Sequence, residues 1–169
     1  MADANPEPSP HRGEAVLVSA CLLGRECRYD GRTNTDAPLL EELRRRGATP
    51  VPYCPEEAGG LSTPRPAAWI EGEDAGAVLD GRTRIVTESG ADVTAAFVAG
   101  ARGALDACRE SGASRAYLKE RSPSCGVKCT HVGGVAVPGR GVTAELLARH
   151  GIDVEGVEGR RPPESDEGP

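Results

Sequence analysis

Three of the six cysteines in this 169-residue chain sit where an apolar, strand-like run gives way to a loop. Cys21 lies in Ser19-Ala20-Cys21-Leu22-Leu23-Gly24, Cys54 in Cys54-Pro55-Glu56, and Cys125 in Ser122-Pro123-Ser124-Cys125-Gly126. In an open parallel sheet the carboxyl ends of the strands share one edge, and ligands bind there. Three thiols far apart in the sequence would meet at that edge. Three thiolates make a metal site that leaves one position open for chemistry. Each loop also carries a carboxylate, an arginine and at least one glycine: Glu26, Arg28 and Gly24 in the first, Glu56, Arg65 and Gly59 in the second, Glu120, Arg121 and Gly126 in the third. Glycine lets the backbone come close to a bound group, and the amides can then bond to it.

The elements that must position these loops follow from pattern. The apolar run 15–20 reads as a buried strand. Residues 37–46 read as a helix with Leu39, Leu40 and Leu43 on one face and Gly47 as its stop. A strand over 49–53 carries Pro50 and Pro52, which suits an edge position. Segments 67–71 and 82–87 read as minor strands flanking a turn at Asp80-Gly81. Asp92 reads as the N-cap of the longest helix, 93–110, with Phe97, Ala101, Leu105 and Cys108 at helical spacing. A strand at 115–119, a Gly-rich loop over 120–139, a helix at 143–150 and a strand at 152–154 complete the series. Helices alternating with strands predict a single α/β domain: a mostly parallel sheet flanked by helices, a Rossmann-like three-layer α/β/α arrangement over 14–157. Residues 1–13 and 158–169 are rich in Pro, Glu, Asp, Ser and Gly and read as disordered tails.

Composition narrows the function. Hydrophobic residues are 38% and aromatics 3%, so the core must be aliphatic. The formal charge of −6 argues against bulk binding to nucleic-acid phosphates. The first 13 residues have no apolar signal region, and no stretch approaches the length of a membrane span. A cytoplasmic monomer or weak homodimer is expected, with its thiols kept reduced.

The strings SACLLG (19–24) with CRYDG (27–31), CPEEAGGL (54–61) with Pro64-Arg65, LKERSPSCG (118–126), and a closing GVTAELLARHGI helix (141–152) resemble the 2-thiouracil desulfurase family. The resemblance spans about residues 15–155, nearly all of the ordered domain. It implies a 4Fe–4S cluster held by only three cysteines, Cys21, Cys54 and Cys125. The fourth iron is then free to bind the sulfur of a thiolated pyrimidine, whose hydrolytic removal needs no net redox change. Carried over by motif position, Glu56 and one serine of Ser122-Pro123-Ser124-Cys125 act in catalysis. Ser122 is preferred, with Ser124 left on the substrate side. An iron with an open site is a soft-loving Lewis acid, and a carboxylate two residues from a ligand is near enough to take a proton from water. Arg28, Asp30 and Arg65 would hold the polar edges of the ring.

Other readings compete at several positions. Arg28 and Arg65 would also serve simply as partners of acids such as Asp30, and Glu57 stands beside Glu56. Cys108, on a helix core face, reads as structural, and Cys27 as a packed or neighbouring thiol. Cys129 with His131 offers a possible fourth ligand. At the level of the whole protein, a structural zinc protein or a thiol-based sulfur carrier using Cys21 and Cys27 are the alternatives. The absence of any Cys-x-x-Cys pair counts against both.

Overall fold

The computed structural model describes residues 13–160. Residues 1–12 and 161–169, most of both expected tails, lie outside the described residues. Strand β1 (Ala15–Ser19) ends in a 3₁₀ turn, Ala20–Leu23. Helix α1 (Ala37–Arg46) follows, then β2 (Thr49–Tyr53), the single-turn α2 (Pro55–Ala58) and β3 (Ala68–Ile70). Next come α3 (Ala75–Leu79), β4 (Ile85–Thr87), α4 (Thr94–Ser111) and β5 (Arg115–Lys119). The chain closes with β6 (Cys129–Val132), β7 (Val135–Pro138), α5 (Val142–Arg149) and β8 (Asp153–Val157).

The main sheet has the order β2-β1-β5-β8, and every pairing in it is parallel. Side-chain alternation along β1 splits the core in two. Val16 and Val18 pack with Leu39 and Leu43 of α1 on one face, whereas Leu17 packs with Ala104, Leu105 and Leu147 of α4 and α5 on the other. This is the expected three-layer arrangement. Strand β2 is the edge, as its prolines require: Pro50 and Pro52 are exposed. The chain runs from β1 to β2 on one side and later returns to β5 on the other. The strand order therefore reverses at β1, and a crevice opens at the carboxyl ends of β2, β1 and β5.

A second sheet, β4-β3-β6-β7, stands against α4, with Ile70, Ile85 and Phe97 in a third apolar cluster. Its β3–β4 and β6–β7 pairs are antiparallel, and β3–β6 is parallel. Half of it lies in the segment expected as loop over 120–139. Gly133 and Gly134 both have positive φ (60° and 81°), the backbone of a tight hairpin turn. Helix α3 lies between the two minor strands, just before the expected turn at Asp80-Gly81, where no helix is expected. Asp74 caps it by accepting from the Ala77 N–H at 2.8 Å.

Two local expectations change. Leu40 is 36% exposed and does not share the buried face of Leu39 and Leu43. Asp92 is not the N-cap of α4. Val93 is, and Asp92 Oδ1 instead accepts from the backbone N–H and hydroxyl of Thr94 at 2.9 and 2.6 Å. Cys108 is buried in the α4 core face, as its spacing predicts. No helix among the described residues is long and apolar enough to cross a membrane.

Candidate active site

A cavity of about 620 Å³ opens at the carboxyl edge of the main sheet. Cys21, in the turn after β1, Cys54, at the start of α2, and Cys125, in the loop after β5, all line it. Cys21 and Cys125 are buried and Cys54 is half-buried; none is in a disulfide. Cys27, from the same loop as Cys21, lines the same wall and is 2% exposed. Four thiols thus share one cavity.

Their protons are unevenly held. Cys27 donates to Cys21 and to Cys54, so its own pKa rises, with burial adding to the effect. The Cys27 hydrogen bond is the main reason the Cys21 pKa falls to about 7. Asn34 and Lys119 act in the same direction, against burial and Glu56. Cys54 is lowered chiefly by Cys27 too, helped by the Glu57 N–H and Arg65. Cys125 goes the other way: burial pushes it up to about 12, opposed by a hydrogen bond from Ser19. The charges of Glu56, Cys54 and Cys21 raise it further. Such a thiol gives up its proton when a cation or metal arrives to replace lost solvation.

Glu56 lines the cavity from the first turn of α2. Two close backbone contacts hold that turn against α4. A Cβ on Gly100 would fall 1.9 Å from the Pro55 carbonyl oxygen, and one on Gly59 would fall 2.0 Å from that of Ala96. Only glycine permits this approach.

Arg65 fixes Glu56 in place. Its Nε lies 3.3 Å from Glu56 Oε1. Nη2 donates to the Cys27 carbonyl at 2.9 Å, and Nη1 donates to the Ser62 carbonyl and the Thr63 hydroxyl at 3.1 and 2.9 Å. The Arg65 side chain is 5% exposed, and every guanidinium nitrogen already has a protein partner. Arg65 therefore ties the first loop to the second and positions Glu56, and it also lines the cavity. Glu57 turns from the cavity: its Oε2 accepts from Thr63 at 2.7 Å.

Ser122 also lines the cavity, and its Oγ accepts from the N–H groups of Ser124 and Cys125 at 3.0 and 3.1 Å. A hydroxyl has two lone pairs and one proton, so with both lone pairs engaged the proton remains to be donated elsewhere. Ser124 does not reach the cavity lining. It is fully buried and hydrogen-bonded to the Thr143 hydroxyl at 2.9 Å, behind Cys125. Arg28 lines the wall, braced by Asp30 at 3.0 Å and Asn34 at 3.2 Å. Asp30 itself stands behind Arg28, outside the lining, and also accepts from the Arg32 N–H at 3.0 Å.

Several contributors escape sequence reasoning. Lys119 reaches the cavity, donates to the Glu120 carbonyl at 2.8 Å, and has its pKa pulled down by burial. The Glu120 carboxylate accepts from the N–H groups of Val127, Lys128 and Cys129 at 2.8 to 3.3 Å, which shapes the loop that carries Cys125. Glu158, Gly159 and Arg160, expected as tail, line the cavity; Arg160 donates to Asn34 at 2.9 Å and Glu158 pairs with Arg121 at 3.0 Å. His131 also reaches the wall, hydrogen-bonded to the Arg121 carbonyl, whereas Cys129 is not in the lining. Three of the chain's five aromatic residues, Tyr29, Tyr53 and Trp69, face the cavity. In a protein so poor in aromatics, that concentration suits a flat ring as guest.

A Bacillus subtilis (strain 168) protein known as uncharacterized protein YbbK is 43% identical over 142 residues, covering 82% of this chain and 93% of its own. A solved structure, the [4Fe-4S]-dependent thiouracil desulfidase TudS, superposes with a TM-score of 0.73 at 46% identity, covering 85% of this chain and 90% of that one. The family described as 2-thiouracil desulfurase matches residues 16–158, a span that includes the four cavity thiols, Glu56 and Ser122, and the chain belongs to the 2-thiouracil desulfurase family.

Proposed function

We propose that this chain removes sulfur from a thiolated pyrimidine of the 2-thiouracil type by hydrolysis, giving the oxygen-bearing ring and hydrosulfide with no net redox change. The observation that carries this reading is the convergence of three thiols from three strand ends on one cavity, with a carboxylate and a donating hydroxyl on its wall. Cys21, Cys54 and Cys125 would hold a 4Fe–4S cluster. The residues fit such a group: three soft donors from separate loops, the Lys119 cation close to Cys21, and Ser19 donating to Cys125. When bound, the cluster supplies an iron with an open position, a Lewis acid suited to sulfur.

The remaining work belongs to side chains. Tyr29 and Trp69 offer aromatic faces for the ring, and Arg28 offers a donor to a ring oxygen. Glu56, aimed by Arg65, takes the proton of the attacking water as it adds to the thiocarbonyl carbon. Ser122, with only its proton free, donates to the ring or passes a proton as the carbon–sulfur bond breaks. Water gives its oxygen to the ring, and the departing sulfur leaves as hydrosulfide. The chemistry suits a reducing compartment, in keeping with a cytoplasmic enzyme.

The test is anaerobic reconstitution followed by an assay for loss of the thiocarbonyl absorbance and release of sulfide. Wild-type protein is expected to turn brown, to hold about four irons per chain, and to desulfurate 2-thiouracil. Cys125→Ala is expected to lose the cluster, and Glu56→Ala to keep it without turnover. A colourless, iron-free wild type, or full activity in Glu56→Ala, overturns the proposal.

A further inference from the structure

Two side chains beside the cavity are neither cluster ligands nor proton-transfer groups in the desulfuration reading. Cys27 is the fourth thiol, and Glu57 is the neighbour of Glu56. The Cys27 and Cys54 sulfurs and a Glu57 carboxylate oxygen all lie within 4.8 Å of one another. The Cys21 thiol, hydrogen-bonded to Cys27, stands ready as another sulfur donor. Glu57 Oε1 is buried and makes no hydrogen bond. Its charged neighbour is Arg25 Nε at 3.4 Å, on a side chain 60% exposed. A buried carboxylate oxygen without a hydrogen bond, balanced only by an ion pair to an exposed arginine and on a side chain close to two thiols, is suited to a further cationic partner.

The donor chemistry identifies that partner. Two or three thiolates and one carboxylate, drawn from loops that close on one another, match the mixed sulfur and oxygen set that holds zinc tetrahedrally. They match magnesium or calcium poorly, since those ions take oxygen alone. We propose that the apoprotein binds one zinc ion through Cys27, Cys54 and Glu57, in a state that competes with cluster loading. The competition half of this inference rests on the cluster reading above. Cys54 belongs to both sites, so the two metals exclude each other. Cys125 belongs only to the cluster site, and Cys27 and Glu57 only to the zinc site. The ratio of zinc to iron and sulfide would then set how much of the protein is active. Binding forms two zinc–thiolate bonds and one zinc–carboxylate bond and releases the two thiol protons, so no oxidant or reductant is needed.

The asymmetry supplies the test. Anaerobic apoprotein is titrated with zinc against a chromophoric chelator, and with cobalt(II) as a spectroscopic stand-in whose thiolate charge-transfer bands report sulfur ligation. Each variant is then reconstituted and its iron counted. Cys27→Ser and Glu57→Gln are expected to weaken zinc binding by about tenfold or more, while still taking up iron like the wild type. Cys125→Ser is expected to do the reverse, keeping zinc and losing the cluster. Preloaded zinc should block reconstitution of the wild type stoichiometrically. Zinc affinity equal in the wild type, Cys27→Ser and Glu57→Gln overturns the inference, as does a cobalt spectrum without thiolate bands. Failure of the wild type to take up iron, with zinc binding intact, would instead sink the cluster reading and leave the zinc site standing.

Discussion

At the scale of single residues, the site depends on Arg65 as much as on the other groups that line the cavity. Its guanidinium bridges Glu56, the Cys27 carbonyl and the Ser62–Thr63 turn from a nearly buried position. Lysine has one compact ammonium where arginine has a planar fork, so Arg65→Lys retains the charge opposite Glu56 and loses most of the bridge. We expect Arg65→Lys to keep its cluster, as judged by visible absorbance and iron content, with kcat reduced and KM little changed. Arg65→Met leaves Glu56 without its cation and should destabilise the fold by about 3 kcal/mol in denaturant titration. Equal kcat in both variants and the wild type would show that Arg65 does not act through Glu56. For Glu56→Gln, removal of the proposed proton acceptor is expected to lower kcat by about 10²–10⁴, with iron content unchanged. Ser122→Ala removes both a donor to the cavity and the acceptor for two amides. It should therefore cost turnover and, by loss of a cap-like contact, about 1 kcal/mol of stability. A stability loss without a rate loss would confine Ser122 to shaping the turn.

At the scale of elements, the placement of Glu56 depends on how closely α2 meets α4. Gly100→Ala would drive a methyl group into the Pro55 carbonyl, and neither backbone can swing aside. Overpacking of this kind costs about 1–3 kcal/mol. Here it should also shift Glu56, which sits one residue along from Pro55. The expected result is a lower melting temperature together with a lower kcat at unchanged iron content; a melting shift alone would uncouple α2 from catalysis. Elements of this kind differ in how legible they are. Helix α1 is plain in the sequence because Asp36, Pro38 and Gly47 mark both its ends and leucines mark its face. The edge position of β2 is plain because two prolines cannot donate to a ladder. The β6–β7 hairpin is hidden inside a stretch rich in glycine, although Gly133-Gly134 between valines is itself a hairpin signal. Leu40 misleads because an adjacent leucine extends the apparent stripe, while the packing against β1 uses only Leu39 and Leu43.

At the scale of the whole molecule, the sheet order explains why three loops so distant in sequence converge. β1 is flanked by β2 and β5, so the turns after all three open onto one crevice, and this much follows from alternating strands and helices alone. What the chain could not disclose is which polar groups are spent on one another. Arg65 and Ser124 look like substrate contacts in sequence; Arg65 lines the cavity but spends most of its donors on protein partners, and Ser124 is fully buried behind Cys125. Nor could it disclose that Glu158 to Arg160 fold back along the cavity wall, since their composition matches the tail that follows. The same topology makes a prediction about stability. A group held by Cys21, Cys54 and Cys125 would tie together the loops that follow three neighbouring strands of the main sheet, so loading should stabilise the native state by mass action. A ligand present at about a hundred times its dissociation constant contributes about 2.7 kcal/mol. For a domain of this size that corresponds to a rise in melting temperature of about 5–10 °C. Amide exchange should slow at the carboxyl edge, around residues 20–28, 54–60 and 121–129, and remain unchanged in the β6–β7 turn and at the amino ends of the strands. Cys125→Ser, reconstituted in parallel, should melt like the apoprotein. Equal melting temperatures for loaded and apo wild type, or slowing spread evenly over the domain, would mean that the bound group does not bridge the three strand ends.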